Sequence, residues 1–169
     1  MAKKLIMVLV VTLVCLLAFG LVCGAAPDNG VTVGKTMPQF KLNALDGQNV
    51  TIAPSDKVLI INFWATWCPP CQGEMPELND YYLQNKDQVV FYAVNLGEAP
   101  AKVKNFMDNN HYSIPTLVDT DGAIGNLFQV QIIPTTVVVD RNGVIQFRKN
   151  GGMTRTELED AVNKAKSVK

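Results

Sequence analysis

The chain has 169 residues, of which 48% are hydrophobic and 18% charged, and its basic and acidic side chains balance at a formal net charge of 0. This length fits one globular domain preceded by a short leader. The balanced charge and the lack of a basic run give no support to nucleic-acid binding.

The N-terminal segment, residues 1–26, has the pattern of an export signal. Lys3 and Lys4 precede an apolar run over 5–22, and small residues follow that run. A run of about 18 apolar residues is also just long enough to cross a bilayer. Three alternatives therefore stay open for the leader: an uncleaved membrane anchor, a cleaved signal peptide, or a lipid on Cys23. Each predicts a protein of the periplasm or of the outer face of the cytoplasmic membrane.

A polar linker is predicted over 27–36, and one domain is predicted over 37–169. The domain opens with residues 40–42 and 50–52, which alternate apolar and polar side chains on either side of an Asp-Gly turn. This pattern is typical of a β-hairpin.

The middle of the chain predicts a strand, a helix and a second strand. The apolar run over 58–64 indicates a buried strand, and residues 72–85 indicate a helix that Pro76 kinks. Another apolar, β-branched run over 89–95 indicates a second buried strand. Because the chain passes between these strands through a helix, we expect them to be parallel.

The C-terminal half alternates short helices and strands. Helices are predicted over 99–109 and 122–128, and strands over 114–118, 135–139 and 144–147, the last two forming a hairpin.

A final helix is predicted to begin after Thr154 and to run to about residue 166, because Thr154 and Glu157 have the spacing of a capping box. Parallel and antiparallel strands covered by helices predict an α/β fold with a central mixed sheet.

Two cysteines, Cys68 and Cys71, stand where the first central strand turns into a helix. Their C-x-x-C spacing is short enough for a local disulfide. A helix N-terminus has unpaired backbone N–H groups and a partial positive charge, and both favour a thiolate over a thiol. The pattern predicts a redox pair, with Cys68 as the nucleophile and Cys71 as the more buried resolving thiol.

Three alternatives compete with a redox pair. A zinc site needs about four ligands, and only His111, which we expect at the surface, and two leader cysteines remain to supply them. Haem attachment requires a histidine directly after the second cysteine, where this chain has Gln72. An inert structural disulfide stays open, although so short a loop constrains the unfolded chain least. We therefore expect neither a metal nor a cofactor.

Residues 63–71, Phe-Trp-Ala-Thr-Trp-Cys-Pro-Pro-Cys, resemble the active-site segment of the thioredoxin superfamily. Pro76 matches the proline that kinks the first active-site helix of that superfamily, and residues 133–136 resemble its cis-proline loop. Residues 71–76 and 93–98 are similar to the TlpA/ResA branch of extracytoplasmic thiol–disulfide oxidoreductases. The resemblance implies a thioredoxin-like α/β sandwich with an added N-terminal hairpin.

The resemblance also implies where a client chain binds. The bond between Ile133 and Pro134 is expected to be cis, with its loop facing the disulfide, so that an extended chain can pair with the backbone there. Trp67, Pro69 and Pro70 flank the cysteines and complete the predicted client-binding residues. The two flanking prolines lack N–H donors and should change how the nearby thiolate is stabilised.

A buried resolving thiol needs a base, because desolvation disfavours its charged form. Thioredoxins commonly carry an aspartate six residues before the first cysteine, where this chain has Asn62, which cannot take a proton. Glu98 resembles the glutamate that serves this purpose in the ResA branch. We predict Glu98 as a third catalytic residue, with a pKa raised by partial burial. The alternative is a solvent-exposed acid at the start of the next helix.

These features predict an extracytoplasmic enzyme, a protein thiol–disulfide oxidoreductase that reduces protein disulfides. The resemblance implies apocytochrome c as a client, through its C-x-x-C-H, within cytochrome c biogenesis, and a membrane electron-carrier protein as the reductant. A disulfide-forming oxidase and a non-enzymatic client-binding module stay open as alternatives. A peroxidase is disfavoured, because no arginine lies near Cys68 in the sequence.

Overall fold

The computed structural model describes residues 30–168. Its strands are β1 (Phe40–Ala44), β2 (Asn49–Ile52), β3 (Val58–Trp64), β4 (Val89–Leu96), β5 (Thr116–Asp119), β6 (Thr135–Val139) and β7 (Ile145–Asn150). Its helices are α1 (Pro69–Asn85), α2 (Pro100–Asn109), α3 (Ala123–Leu127) and α4 (Arg155–Ser167).

The strands form one mixed sheet in the order β2-β1-β5-β4-β3-β6-β7. β3 pairs in parallel with β4, as its connection through α1 predicts, and β4 pairs in parallel with β5. β6 lies antiparallel to β3 on its other side, and the β1–β2 hairpin adds to the sheet through β5. The predicted thioredoxin-like sandwich with an added N-terminal hairpin is confirmed.

Both faces of the sheet are covered, and every residue of β3 is buried. One face packs against apolar side chains of α1, α2 and α4, among them Met75, Val103 and Leu158. The other face packs against the segment before β1 and against Phe128 at the end of α3. A strand covered on both faces explains the unbroken apolar run over 58–64.

Helix α1 begins at Pro69 and not at residue 72, so the predicted start is wrong by one turn. Proline suits the first position of a helix, because the N–H that it lacks would have no partner within the helix. The Pro-Pro pair therefore belongs to the helix, and Cys68 is its N-cap. At the start of α4 the predicted capping box is confirmed, with both hydrogen bonds between Thr154 and Glu157 formed.

The described part of the predicted linker, residues 30–36, lies against β7. Gly34 N–H donates to the carbonyl of Ile145 over 2.8 Å, and Thr36 forms an isolated bridge with Val144. The predicted leader, 1–26, lies outside the described residues. Within residues 30–168, none of the helices combines the length and the apolar character that a membrane crossing needs.

Candidate active site

The centre of the site is a disulfide between Cys68 and Cys71 at the turn from β3 to α1. Its sulfurs are 2.12 Å apart, and the two Cα atoms are 5.3 Å apart. Because Cys68 caps the helix, its Sγ accepts a hydrogen bond from the Cys71 N–H over 3.3 Å. The helix thus presents a backbone donor to the sulfur that becomes a thiolate on reduction.

Both cysteines are buried, in the predicted order. Cys68 exposes 3% of its surface and Cys71 none. The neighbours of the pair stand out into solvent: Trp67 is 64% exposed, and Pro69 and Pro70 are exposed as well. Of the two cysteines, Cys68 therefore has the larger solvent-exposed fraction.

The loop that leads into β6, the strand beside β3, lies against Cys68. The Ile133–Pro134 bond is cis, as the resemblance predicts. Cys68 Sγ lies 3.8 Å from the Ile133 carbonyl oxygen, so this loop and the disulfide are in contact. Pro134 itself is buried, whereas Ile132 is 58% exposed. Two exposed large apolar side chains, Trp67 and Ile132, therefore belong to the segments that meet at the disulfide.

Glu98 follows β4 and holds the turn before the cysteines. Its carboxylate accepts hydrogen bonds from the Thr66 N–H and hydroxyl, each 2.6 Å long, and from Asn95 Nδ2 over 2.8 Å. Lys102, one turn further along, forms an ion pair with it at 2.7 Å. Four donors on one buried carboxylate fix the backbone at Thr66, two residues before Cys68.

The expected rise in the pKa of Glu98 is wrong. Burial does oppose its charge, but the hydrogen bonds from Lys102 and its other donors outweigh burial and lower the pKa to about 2. A carboxyl that stays ionised through the neutral range is a poor proton acceptor there. The contacts assign Glu98 a positioning role at the turn.

A second buried carboxyl, Glu74, lies one helical turn after Cys71 on α1. Its Oε1 accepts a hydrogen bond from Asn62 Nδ2 over 2.8 Å, and its Oε2 accepts one from the Met153 N–H over 2.6 Å. Residues three apart share one face of a helix. Glu74 is thus on the same buried face of α1 as Cys71, and sequence reasoning missed it.

Burial raises the pKa of Glu74 to about 7, against the hydrogen bonds from Asn62 and Met153, which act in the opposite direction. The two buried glutamates therefore differ by environment: Glu98 has four donors including a cation, whereas Glu74 has two neutral ones. A carboxyl with a pKa near the working pH can both take and return a proton.

Asn62 cannot titrate, as predicted, but it has a place in this arrangement. It is buried on β3, and its Nδ2 donates both to Glu74 and to Thr136 Oγ1, the latter over 3.0 Å. At the position where thioredoxins commonly carry an aspartate, this chain thus has an amide that donates a hydrogen bond to Glu74, the carboxyl on α1. The signal in the sequence was the glutamate three residues after the second cysteine.

The remaining candidates lie as follows. Trp64 is buried and packs its ring 5.3 Å from that of Phe106, and His111 is exposed at the surface. Among residues 30–168, no group of three or more His, Cys, Asp or Glu side chains could hold a metal ion.

A thioredoxin-like fold, a C-x-x-C disulfide at a strand-to-helix turn and a cis-proline loop against its first sulfur define the class: the protein is a thiol–disulfide oxidoreductase. The family model described as Redoxin matches residues 32–166, and the chain belongs to the Redoxin family.

Known relatives agree with this class. The chain is 32% identical over 169 residues to the thiol-disulfide oxidoreductase ResA of Geobacillus thermodenitrificans (strain NG80-2), with 97% of each chain covered. It is 34% identical to the thioredoxin-like protein YneN of Bacillus subtilis (strain 168), over 79% of this chain and 81% of that one. The crystal structure of StoA from Bacillus subtilis matches with a TM-score of 0.66 and 27% identity, over 73% of this chain and 96% of StoA.

Proposed function

We propose that the protein is an extracytoplasmic reductant of protein disulfides. The observation that carries the direction of electron flow is the small number of donors around Cys68. Among the described residues, one N–H, that of Cys71, donates to its sulfur, and Pro69 and Pro70 have none to give. A strong oxidant owes its potential to a stabilised reduced form. Sparse stabilisation of the thiolate favours the opposite, a dithiol that gives up electrons.

The reaction proceeds by two thiol–disulfide exchanges. The Cys68 thiolate attacks one sulfur of the client disulfide, which forms a mixed disulfide and releases the other client sulfur as a thiolate. Cys71 then passes its proton to the Glu74 carboxylate and attacks Cys68 Sγ. The Cys68–Cys71 disulfide forms, and the second client thiolate leaves and takes up a proton. Two electrons have passed from the dithiol to the client.

The client approaches as an extended chain along the Ile133–Pro134 loop, where Trp67 and Ile132 provide exposed apolar contacts. We infer the C-x-x-C-H segment of apocytochrome c as a client, and a membrane electron-carrier protein as the source of electrons. The resemblance of residues 71–76 and 93–98 to the ResA branch supports both. The export pattern of residues 1–26 supports a place outside the cytoplasm, anchored or secreted.

Trapping tests the proposal. A Cys71→Ser variant should accumulate a mixed disulfide with an oxidised C-x-x-C-H peptide, because the resolving thiol is gone, whereas Cys68→Ser should form none. The adduct is measured by intact-mass spectrometry and should disappear on addition of a reductant. Equal adducts in both variants, or normal turnover in either, would contradict the assigned roles.

A further inference from the structure

The buried carboxyl of Glu74 is closed on two sides by its hydrogen-bond partners. Asn62 donates to Oε1, and the Met153 N–H donates to Oε2. Each carboxylate oxygen can accept more than one hydrogen bond. Oε2 therefore keeps room for another donor, provided that one can reach it.

Such an approach exists from Gly152. This residue is exposed, and a Cβ placed on it would lie 3.8 Å from Glu74 Oε2. Among the described residues, and apart from the chain neighbours of Gly152, no other heavy atom lies within 4 Å of that position. The missing side chain thus leaves a short path from solvent to a buried carboxylate oxygen.

We propose that Gly152 is the opening through which Glu74 exchanges its proton with solvent. The inference rests on the proposed role of Glu74 as the base for Cys71. A water that hydrogen-bonds Oε2 from this side would lie about 2.8 Å from it. A methyl group 3.8 Å from the same oxygen would overlap with that water, so any side chain at this position excludes it.

The backbone does not explain the glycine at position 152. Gly151, beside it, has a φ of 95°, a left-handed conformation that favours glycine, and its N–H donates to the Pro134 carbonyl over 2.7 Å. Gly152 is outside that conformational region, so an alanine fits its backbone. The hydrogen bond from Gly151 also places the opening beside the loop proposed to bind the client.

Other charged groups around Glu74 are the same with or without a side chain at 152. Lys149 of β7 acts on Glu74 as a cation and pairs with Glu157 of α4. On α1 itself, Glu77 accepts a hydrogen bond from the Arg155 N–H, and Cys71 is held in the disulfide. Strands β3 and β6 carry no ionisable side chain. A change in the titration of Glu74 caused by a substitution at 152 therefore reports on solvent access.

The test is Gly152→Ala in the full chain. The oxidised protein is labelled with ¹³C at the glutamate side-chain carboxyls, and Glu74 is titrated by NMR. Closing the opening should raise the pKa of Glu74 further, by about half a unit or more, because the charged form loses hydration. In the pH profile of the rate of single-turnover client reduction, the acid limb, where the rate falls as the pH falls, should move to higher pH by the same amount.

Gly73→Ala is the matched control, because Gly73 adjoins Glu74 on α1 and an added Cβ meets nothing within 4 Å. It should leave both readouts unchanged. In a Glu74→Gln background, Gly152→Ala should have no further effect on the acid limb. A Glu74 pKa within about 0.2 of the wild-type value in Gly152→Ala would overturn the proposal. If the wild-type protein reduced no client, the proposed function would fail, while the NMR titration would still decide the question of the opening.

Discussion

At the scale of single residues, the two buried glutamates have opposite electrostatic environments. Glu98 accepts from four donors, one of them the ammonium of Lys102, and remains ionised. Glu74 has two neutral donors and a pKa of about 7. The first arrangement holds a backbone turn in place, and the second suits proton transfer next to a resolving thiol.

Replacing Glu74 should slow the resolving step without abolishing the first exchange. In Glu74→Gln, Cys71 loses its proton acceptor, and a general base typically contributes about a hundredfold or more to such a step. We expect mixed disulfide to accumulate transiently and the acid limb near pH 7 to vanish from the rate profile. Rapid-quench single turnover with a disulfide peptide from pH 5 to 9 measures both. An unaltered profile would remove Glu74 from the mechanism.

Replacing Glu98 should have the opposite consequence. Glu98→Gln places an NH₂ group where donors now meet a carboxylate, so at least one buried donor at Thr66 or Asn95 loses its acceptor. We expect a loss of about 1–3 kcal/mol in the free energy of unfolding, with the acid limb of client reduction unmoved. Urea denaturation and the same rate profile provide the comparison. If Glu98→Gln shifted the acid limb of the rate profile and left the free energy of unfolding unchanged, Glu98 would be the proton acceptor.

Some residues of the site could be predicted from the sequence, and others could not. The C-x-x-C spacing at a strand-to-helix turn identified Cys68 and Cys71, because a disulfide between residues so close in sequence depends on local geometry. The role of Glu74 could not be predicted in this way, because a glutamate on a helix is usually solvent-exposed. Only the tertiary packing of Asn62 and the Met153 backbone against α1 shows that Glu74 is buried. Likewise, only the fold brings Thr66 to the Glu98 carboxylate.

At the scale of elements, periodicity predicted the order of strands and helices and most of their bounds. The apolar runs gave β3 and β4, and the capping box gave the start of α4. The predicted start of α1 is wrong because a helix over 72–85 leaves out Pro69 and Pro70. Proline within the first turn is compatible with a helix, so local composition could not separate a helix from a loop there.

Thr154, the N-cap of α4, directly follows Met153, whose N–H donates to Glu74, so this N-cap is a useful point of perturbation. Thr154→Ala removes the acceptor for the Glu157 N–H, which is half of the capping box, and keeps the hydrogen bond from the backbone N–H of residue 154 to Glu157. We expect a loss of about 1 kcal/mol in the free energy of unfolding. Thr156→Ala is the matched control, because Thr156 is exposed at the second position of the same helix, and it should change stability little. Equal losses in both variants would mean that the cap contributes nothing.

At the scale of the whole molecule, the two glutamates give stability a defined dependence on pH. The pKa of Glu98 is lower in the folded protein than the ordinary value of 4.5, so its contribution is present above about pH 4.5 and is lost as the pH falls towards 2. The pKa of Glu74 is raised to about 7, so its contribution is present below about pH 4.5 and is lost as the pH rises to 7.

We therefore expect the oxidised protein to be most stable near pH 4.5 to 5 and to lose about 3 kcal/mol between there and pH 7 from Glu74. Glu74→Gln should flatten this decline, and the fall below pH 4.5 should persist in it. Urea denaturation at a series of pH values provides the free energies. A decline of the same size in Glu74→Gln would show that another group causes it.

A dithiol that gives electrons to client proteins needs a low reduction potential, and this potential can be measured for the Cys68–Cys71 pair. Equilibration of the protein with glutathione or dithiothreitol buffers, followed by thiol alkylation and mass spectrometry, measures the fraction reduced. A reductant with a sparsely stabilised Cys68 thiolate should have a potential near that of thioredoxin, about −270 mV. A value near about −120 mV, that of a strong disulfide-forming oxidase, would mean that the pair takes electrons from its clients, contrary to the proposed function.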